Sequence, residues 1–220
     1  MIRFWGQPKY AQDERFADEL FLREKIADQW TFPQDFGRFN AEDIVTLLEQ
    51  TVKSVYKETQ MVSINLDQPE FSRVDYLQAL PKLQAQLPDM QLCVELTERP
   101  NGVATTALVA AARTYQQAGL WVCIDDVGTG DNQLPLVQAL APYVQEYKFA
   151  LQNFHDQKDF ITLVSPLLQF WREQAQLAGV FFAIEGFENK ADLKIAQNYQ
   201  PDIMQGYYFV RPQLIDVQTQ

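Results

Sequence analysis

"NGVATTALVAAARTYQQAGLWVCIDDVGTG", residues 101–130, carries a helix, a strand and a charged stop in one run. Its first part is amphipathic and closes on Gly119, a residue type that ends helices because it tolerates a left-handed backbone. "WVCI" then runs apolar, with the β-branched and aromatic bias of a buried strand. Asp125 and Asp126 follow directly. Two adjacent like charges repel each other unless something positive sits between them, so the end of this strand calls for a cation.

Outward from this stretch the same pattern recurs. Runs with strand character cover residues 2–10, 16–25, 61–66, 91–97, 120–126, 146–151, 180–186 and 202–209. Amphipathic stretches fall between the later ones, among them 159–179, again closing on a glycine. Strand–helix alternation implies a parallel sheet, and eight strands imply closure into a (β/α)8 TIM-like barrel. Only "AQDER", residues 11–15, separates the first two runs, too little for a helix. A hairpin is the economical connection, so strand 1 is expected to be antiparallel to its neighbour. "TFPQDFGRFNAED", residues 31–43, is the clearest irregular stretch, and its Asn40 is placed to cap a helix over 41–56. The reading is one domain over residues 1–220.

Composition narrows the function. With 29 acidic against 18 basic residues the net charge is −11, and no basic cluster offers a duplex nucleic acid a surface. No apolar run approaches the roughly 18 residues a membrane span needs, and the N-terminus lacks a signal-peptide core, so a cytoplasmic protein with no membrane partner is expected. Cys93 and Cys123 sit inside apolar runs and read as buried free thiols. The single histidine, His155, lies beyond the strand ends and reads as a surface residue.

The apolar runs from the third onward each contain or end on a polar residue: Asn65, Glu95, Asp125 with Asp126, Lys148, Glu185 and Gln205, to which the second run adds Glu19. Any one of these is most simply a satisfied strand terminus or a helix cap. In a barrel, however, the C-terminal strand ends converge on one mouth, where active sites of this architecture are built. Glu19, Asn65, Glu95, Asp125 and Asp126 would bring four carboxylates and an amide together, which requires cations. Oxygen ligands without imidazole or thiolate favour Mg²⁺ or Mn²⁺ over Zn²⁺. Adjacent aspartates suit a pair of ions, since each can reach a different one or one can bridge.

"ADELFLR", "INL", "VELTE", "IDDVGTG", "YK", "EGFE" and "QGYYFVRP" together resemble, in order, the motifs of the EAL domain, the cyclic-di-GMP phosphodiesterase family, from about residue 4 to about residue 212. The resemblance implies metal-dependent hydrolysis: in-line attack of water on one phosphodiester of cyclic di-GMP, opening it to linear pGpG. It implies that Glu19, Asn65, Glu95 and Asp125 hold one of two Mg²⁺ or Mn²⁺ ions, that Asp126 serves the second with Asp125 shared, and that Glu185 is a further metal-site carboxylate. Lys148 would orient or activate the water, with Glu188 and Gln205 as supporting catalytic positions. Glu98 would brace the loop after the paired aspartates, and Arg23 would contact a substrate phosphate. Cyclic di-GMP is then the partner, and a homodimer is left open.

The chain also departs from the family pattern. The signature Glu-Ala-Leu reads Glu19-Leu20-Phe21, which keeps the carboxylate and enlarges two apolar neighbours. Val127 stands for a phenylalanine, and Asp131, Asn132 and Gln133 replace an aromatic residue and serines, so that loop is expected to be ordered differently. Ala150 occupies the place of an aspartate two residues after the lysine. The segment after "LREK" is short, and that between "DDV" and Lys148 slightly long, which points to remodelled substrate-facing loops. Two readings follow. A hydrolase is favoured by the retained Glu19, Asn65, Glu95 and Asp125, whereas a degenerate EAL domain acting as a non-catalytic receptor or protein-interaction module is favoured by Ala150. A plain acidic barrel would need every strand-end polar residue to be structural.

Overall fold

A computed structural model describes residues 1–12, 14–55, 59–156 and 159–217. Among the described residues ten strands form one sheet: β1 (Ile2–Ala11), β2 (Glu14–Ile26), β3 (Gln29–Thr31), β4 (Met61–Leu66), β5 (Gln91–Leu96), β6 (Trp121–Ile124), β7 (Glu146–Ala150), β8 (Phe181–Glu185), β9 (Ile203–Met204) and β10 (Gln213–Leu214). Their order is β10-β1-β9-β8-β7-β6-β5-β4-β2-β3, and a further pairing of β1 with β2 closes eight of them into a barrel. The pairs from β2 through β4 to β9 are parallel, while β1 is antiparallel to both β2 and β9. This is a distorted (β/α)8 arrangement with the reversed first strand that the short first connection requires.

Two strands were not expected from the sequence. β3 folds back on β2 through Ala27 and Asp28, both at positive φ (46° and 66°), the backbone of a tight hairpin turn. The pair Ala-Asp lacks the Asn-Gly or Asp-Gly signal of such turns, so the hairpin is invisible to turn chemistry. β10 is a two-residue pairing on Trp5 and Gly6 at the outer edge of β1. The last run, 202–209, supplies only Ile203–Met204 to the barrel before the chain turns over the mouth.

Helices α1 (Ala41–Val55), α2 (Gln68–Ser72), α3 (Val74–Ala85), α4 (Thr105–Gln117), α5 (Leu134–Leu140), α6 (Phe160–Ala178) and α7 (Leu193–Tyr199) surround the barrel. Asn40 caps α1 by accepting the Asp43 backbone N–H at 2.7 Å; the expected helix end at Tyr56 lies outside the described residues. Gly179 ends α6 at φ 70°. Alternation along the strands divides two interiors. Leu20, Val62, Ile64, Val94, Val122, Ile124, Tyr147 and Ile184 face the helices and build the main core. The alternate set points into the barrel, where Ala17, Met61, Cys93 and Cys123 form a small apolar floor. Both cysteines are free and buried. Above this floor the same inward positions turn polar. Among the described residues no helix is long and apolar enough to cross a membrane.

Candidate metal centre

Lys148, on β7, stands at the middle of the polar layer. Its Nζ lies 2.7 Å from Glu95 Oε2, 3.0 Å from Glu19 Oε2, 3.0 Å from Asp125 Oδ1 and 3.1 Å from Glu185 Oε2. Three strand ends and the middle of β2 thus aim carboxylates at one ammonium. Burial alone would pull the lysine's pKa down, but Asp125, Glu185, Glu19 and Glu95 outweigh it and hold the ammonium well above its usual range. Gln205 Nε2 donates to Glu19 Oε2 at 2.9 Å and to Gln7 Oε1 at 3.2 Å. Asn65 Nδ2 donates to the other oxygen of Glu19 at 2.6 Å.

One lysine does not neutralise the cluster. Burial first, then neighbouring Glu95, raises the Glu19 carboxyl. Burial raises Asp125 well above the carboxylate range, with Lys148 opposing and Asp126 adding to the shift. Asp126 is pushed up to about 7 by burial and then by Glu185. Glu95 behaves oppositely: burial would raise it, yet Lys148 and Lys9 pull it well below. Ligand oxygens of Asp125, Asp126 and Glu185 all lie within 4.8 Å of one another. Asn65 Oδ1 and Asp126 Oδ1 are buried with no hydrogen-bond partner among the described residues. Excess carboxylates, two orphaned oxygens and an all-oxygen donor set fit a hard divalent cation.

The loop after the aspartates is fixed from below. Asp126 adopts φ 47°, and Val127 N–H bonds Lys148 O at 2.9 Å. Asp131 N–H bonds Glu98 O at 2.8 Å, and Gly130 lies so close to that carbonyl that a Cβ would come within 2.0 Å of it. Glu98 therefore meets the loop through its backbone. Asn132 is fully buried and its Nδ2 donates to Leu96 O at 3.0 Å, which braces the loop against the end of β5.

The mouth opens into a cleft of about 480 Å³ whose walls include Glu98, Glu188, Gln152, Tyr207 and Phe32. Glu188 is half exposed, with Oε1 3.5 Å from His155 Nδ1. His155, expected from the sequence at the surface, is partly covered: its side chain is 17% exposed. It packs on Phe160, with centroids 4.6 Å apart, because the chain after β7 folds back beside the mouth. Arg23 lies on the same face of β2 as Glu19 and farther along the strand, with its guanidinium 3.3 Å from the Phe32 ring centroid.

Sequence reasoning missed Lys9, Gln7 and Glu146. Lys9 is 2% exposed, with Nζ 2.6 Å from Glu95 Oε1 and 3.5 Å from Glu146 Oε1. Register pairs Gln7 with Glu19 and Lys9 with Ala17, so both point into the barrel like their partners. A lysine on the inward alternation of a strand was the available signal.

The EAL domain family matches residues 26–212. The match begins after Glu19 and Arg23. Among solved structures, the EAL enzyme Bd1971 with cAMP and cyclic di-GMP bound superposes with a TM-score of 0.76 at 18% identity, over 96% of this chain and 62% of that one. This chain therefore spans under two thirds of Bd1971. PaMucR phosphodiesterase in complex with cyclic di-GMP gives 0.76 at 18% identity, over 97% of each chain. The Bacillus subtilis YkuI protein, with an EAL domain in complex with substrate cyclic di-GMP and calcium, gives 0.78 at 16% identity, over 99% of this chain and 57% of that one. At these identities the likeness carries the fold.

Proposed function

The chain belongs to the EAL domain family, and from that premise we propose that residues 1–220 form one EAL domain that hydrolyses cyclic di-GMP to linear pGpG. The observation that supports this most is the ring of Glu19, Glu95, Asp125 and Glu185 around Lys148, with orphaned oxygens of Asn65 and Asp126 beside it. A divalent cation, Mg²⁺ or Mn²⁺, would be held by Glu19, Asn65, Glu95 and Asp125, and a second by Asp125, Asp126 and Glu185. Bound cations supply charge stabilisation at the phosphoryl oxygens and lower the pKa of water.

The chain's own residues do the rest. Lys148 orients water through one N–H and offsets part of the negative field that would repel a phosphodiester. Gln205 fixes Glu19 in place through a 2.9 Å bond. Glu188, on the cleft wall, is a candidate for positioning water, and Arg23 near the mouth for contacting a phosphate through its guanidinium fork. Attack on one phosphorus forms a P–O bond to water and breaks the bond to a ribose 3′ oxygen, which takes up a proton. One ring bond opens and pGpG leaves.

Ala150 favours a second reading, a receptor that binds the nucleotide without cleaving it. It stands beside Glu185 in the β7–β8 register, on the same strand face as Lys148, and adds no carboxylate there. Incubation with cyclic di-GMP and Mn²⁺, resolved by chromatography, separates the two. Appearance of pGpG that a chelator abolishes supports the hydrolase, and retention of intact nucleotide without product supports the receptor.

A further inference from the structure

We propose that Gln152 and Asn153 are positioning residues for the outer carboxylates of the metal centre, an inference that rests on the reading of this mouth as such a centre. The two amides stand side by side on the single turn Leu151–Asn153 that follows β7. Asn153 Nδ2 donates to Asp126 Oδ2 at 3.2 Å, and Gln152 Nε2 donates to Glu185 Oε1. Ionised carboxylates only accept, so the amide nitrogens must be the atoms that face them.

Each amide takes one oxygen and leaves the other. Asp126 keeps a buried Oδ1 with no hydrogen-bond partner among the described residues, and Glu185 keeps the Oε2 that lies 3.1 Å from Lys148 Nζ. Without these donors, two like charges whose ligand atoms lie within 4.8 Å of each other would swing apart. The turn therefore holds them at a separation a cation can bridge.

Gly186 makes room for this arrangement. It follows Glu185 at φ 81°, and a Cβ there would lie 1.9 Å from Gln152 Oε1 and 2.7 Å from the Gln152 backbone nitrogen. Any side chain at 186 would expel the Gln152 carboxamide from its seat. The pairing of Ala150 with Glu185 brings the turn to that seat. The contact is thus set by the register of two strands and the absence of a side chain. In metal sites, partners that orient the ligands are typically worth about 10- to 100-fold in affinity.

The test is Mn²⁺ titration of the full chain, followed by electron paramagnetic resonance of free Mn²⁺, for wild type, Gln152→Ala, Asn153→Ala and the double variant. Both side chains are exposed, so their truncation leaves the core untouched. The double variant is expected to raise the Kd for Mn²⁺ by about tenfold or more, with an unchanged melting temperature in chelator. Unchanged affinity, or tighter binding because the amides compete with the cation, overturns the proposal. If the double variant unfolds, the single Asn153→Ala variant decides by the same criterion. Absence of Mn²⁺ binding by wild type would overturn the metal centre itself, a result distinct from equal binding by wild type and variants.

Discussion

The ammonium of Lys9 lies 2.6 Å from Oε1 of Glu95, while the other oxygen of that carboxylate is held by Lys148 at 2.7 Å. Glu95 is thereby clamped between a lysine on the floor side and one at the mouth. Lys9 is held in turn by Glu146, whose carboxyl burial raises and Lys9 lowers. Removing one partner of a buried pair leaves an uncompensated charge, at a cost of about 3–5 kcal/mol. Lys9→Met is predicted to lower the unfolding free energy by about that amount, measured by urea denaturation. A loss below about 1 kcal/mol, the range of exposed pairs, would show that the clamp is not structural.

Metal-free stability is predicted to fall as pH rises from about 4 to about 7. Asp126 is raised to about 7 in the folded state, by burial and then Glu185, whereas its unfolded value is near 3.9. Between these values the folded chain binds more protons than the unfolded one, so raising the pH favours unfolding. Burial shifts Asp125 and Glu19 in the same direction. Glu95, held low, contributes stability that is present above its unfolded value of about 4.3 and is lost only in acid. Melting curves in chelator should therefore drop between about pH 5 and about pH 7, and saturating Mn²⁺ should remove most of that slope. A metal-free melting temperature that climbs across this window would contradict the charge assignment.

Much of this arrangement was legible in the sequence, because strand alternation and strand ends are written directly in residue order. "VSINL", "CVEL" and "VCID" each put a polar residue in the inward register just where the strand stops, and the structure brings Asn65, Glu95 and Asp125 into one mouth. The five-residue link between the first two strands made the antiparallel β1 readable too. What stayed hidden depends on long-range closure. Lys9 acquires its role only because β1 lies antiparallel to β2 and turns that residue inward against Glu95, 86 positions away. Gln152 and Asn153 lie in a turn whose path no periodicity encodes, and β3 depends on a hairpin without the usual turn residues.

Ala150→Asp should lower the Mn²⁺ concentration needed for half-maximal activity. Ala150 is 2% exposed, two residues beyond Lys148 on the same strand face and paired with Glu185. A carboxylate there adds a hard oxygen donor beside Glu185. Rates measured against Mn²⁺ concentration check this. A higher metal requirement would mean that the added charge only increases repulsion in the mouth.

If the carboxylate ring performs hydrolysis, Glu19 is the residue whose change should show it, because it touches Lys148, Asn65 and Gln205 at once. Glu19→Gln keeps shape and hydrogen-bonding capacity and removes one charge. The measurement is the rate of pGpG release from cyclic di-GMP with Mn²⁺ for wild type and Glu19→Gln, beside nucleotide affinity for both. Product is expected from wild type, and in the variant a loss beyond the roughly 10- to 100-fold expected for an outer partner of a metal site, with nucleotide affinity less affected. Nucleotide bound by both proteins and pGpG released by neither would contradict the hydrolase reading.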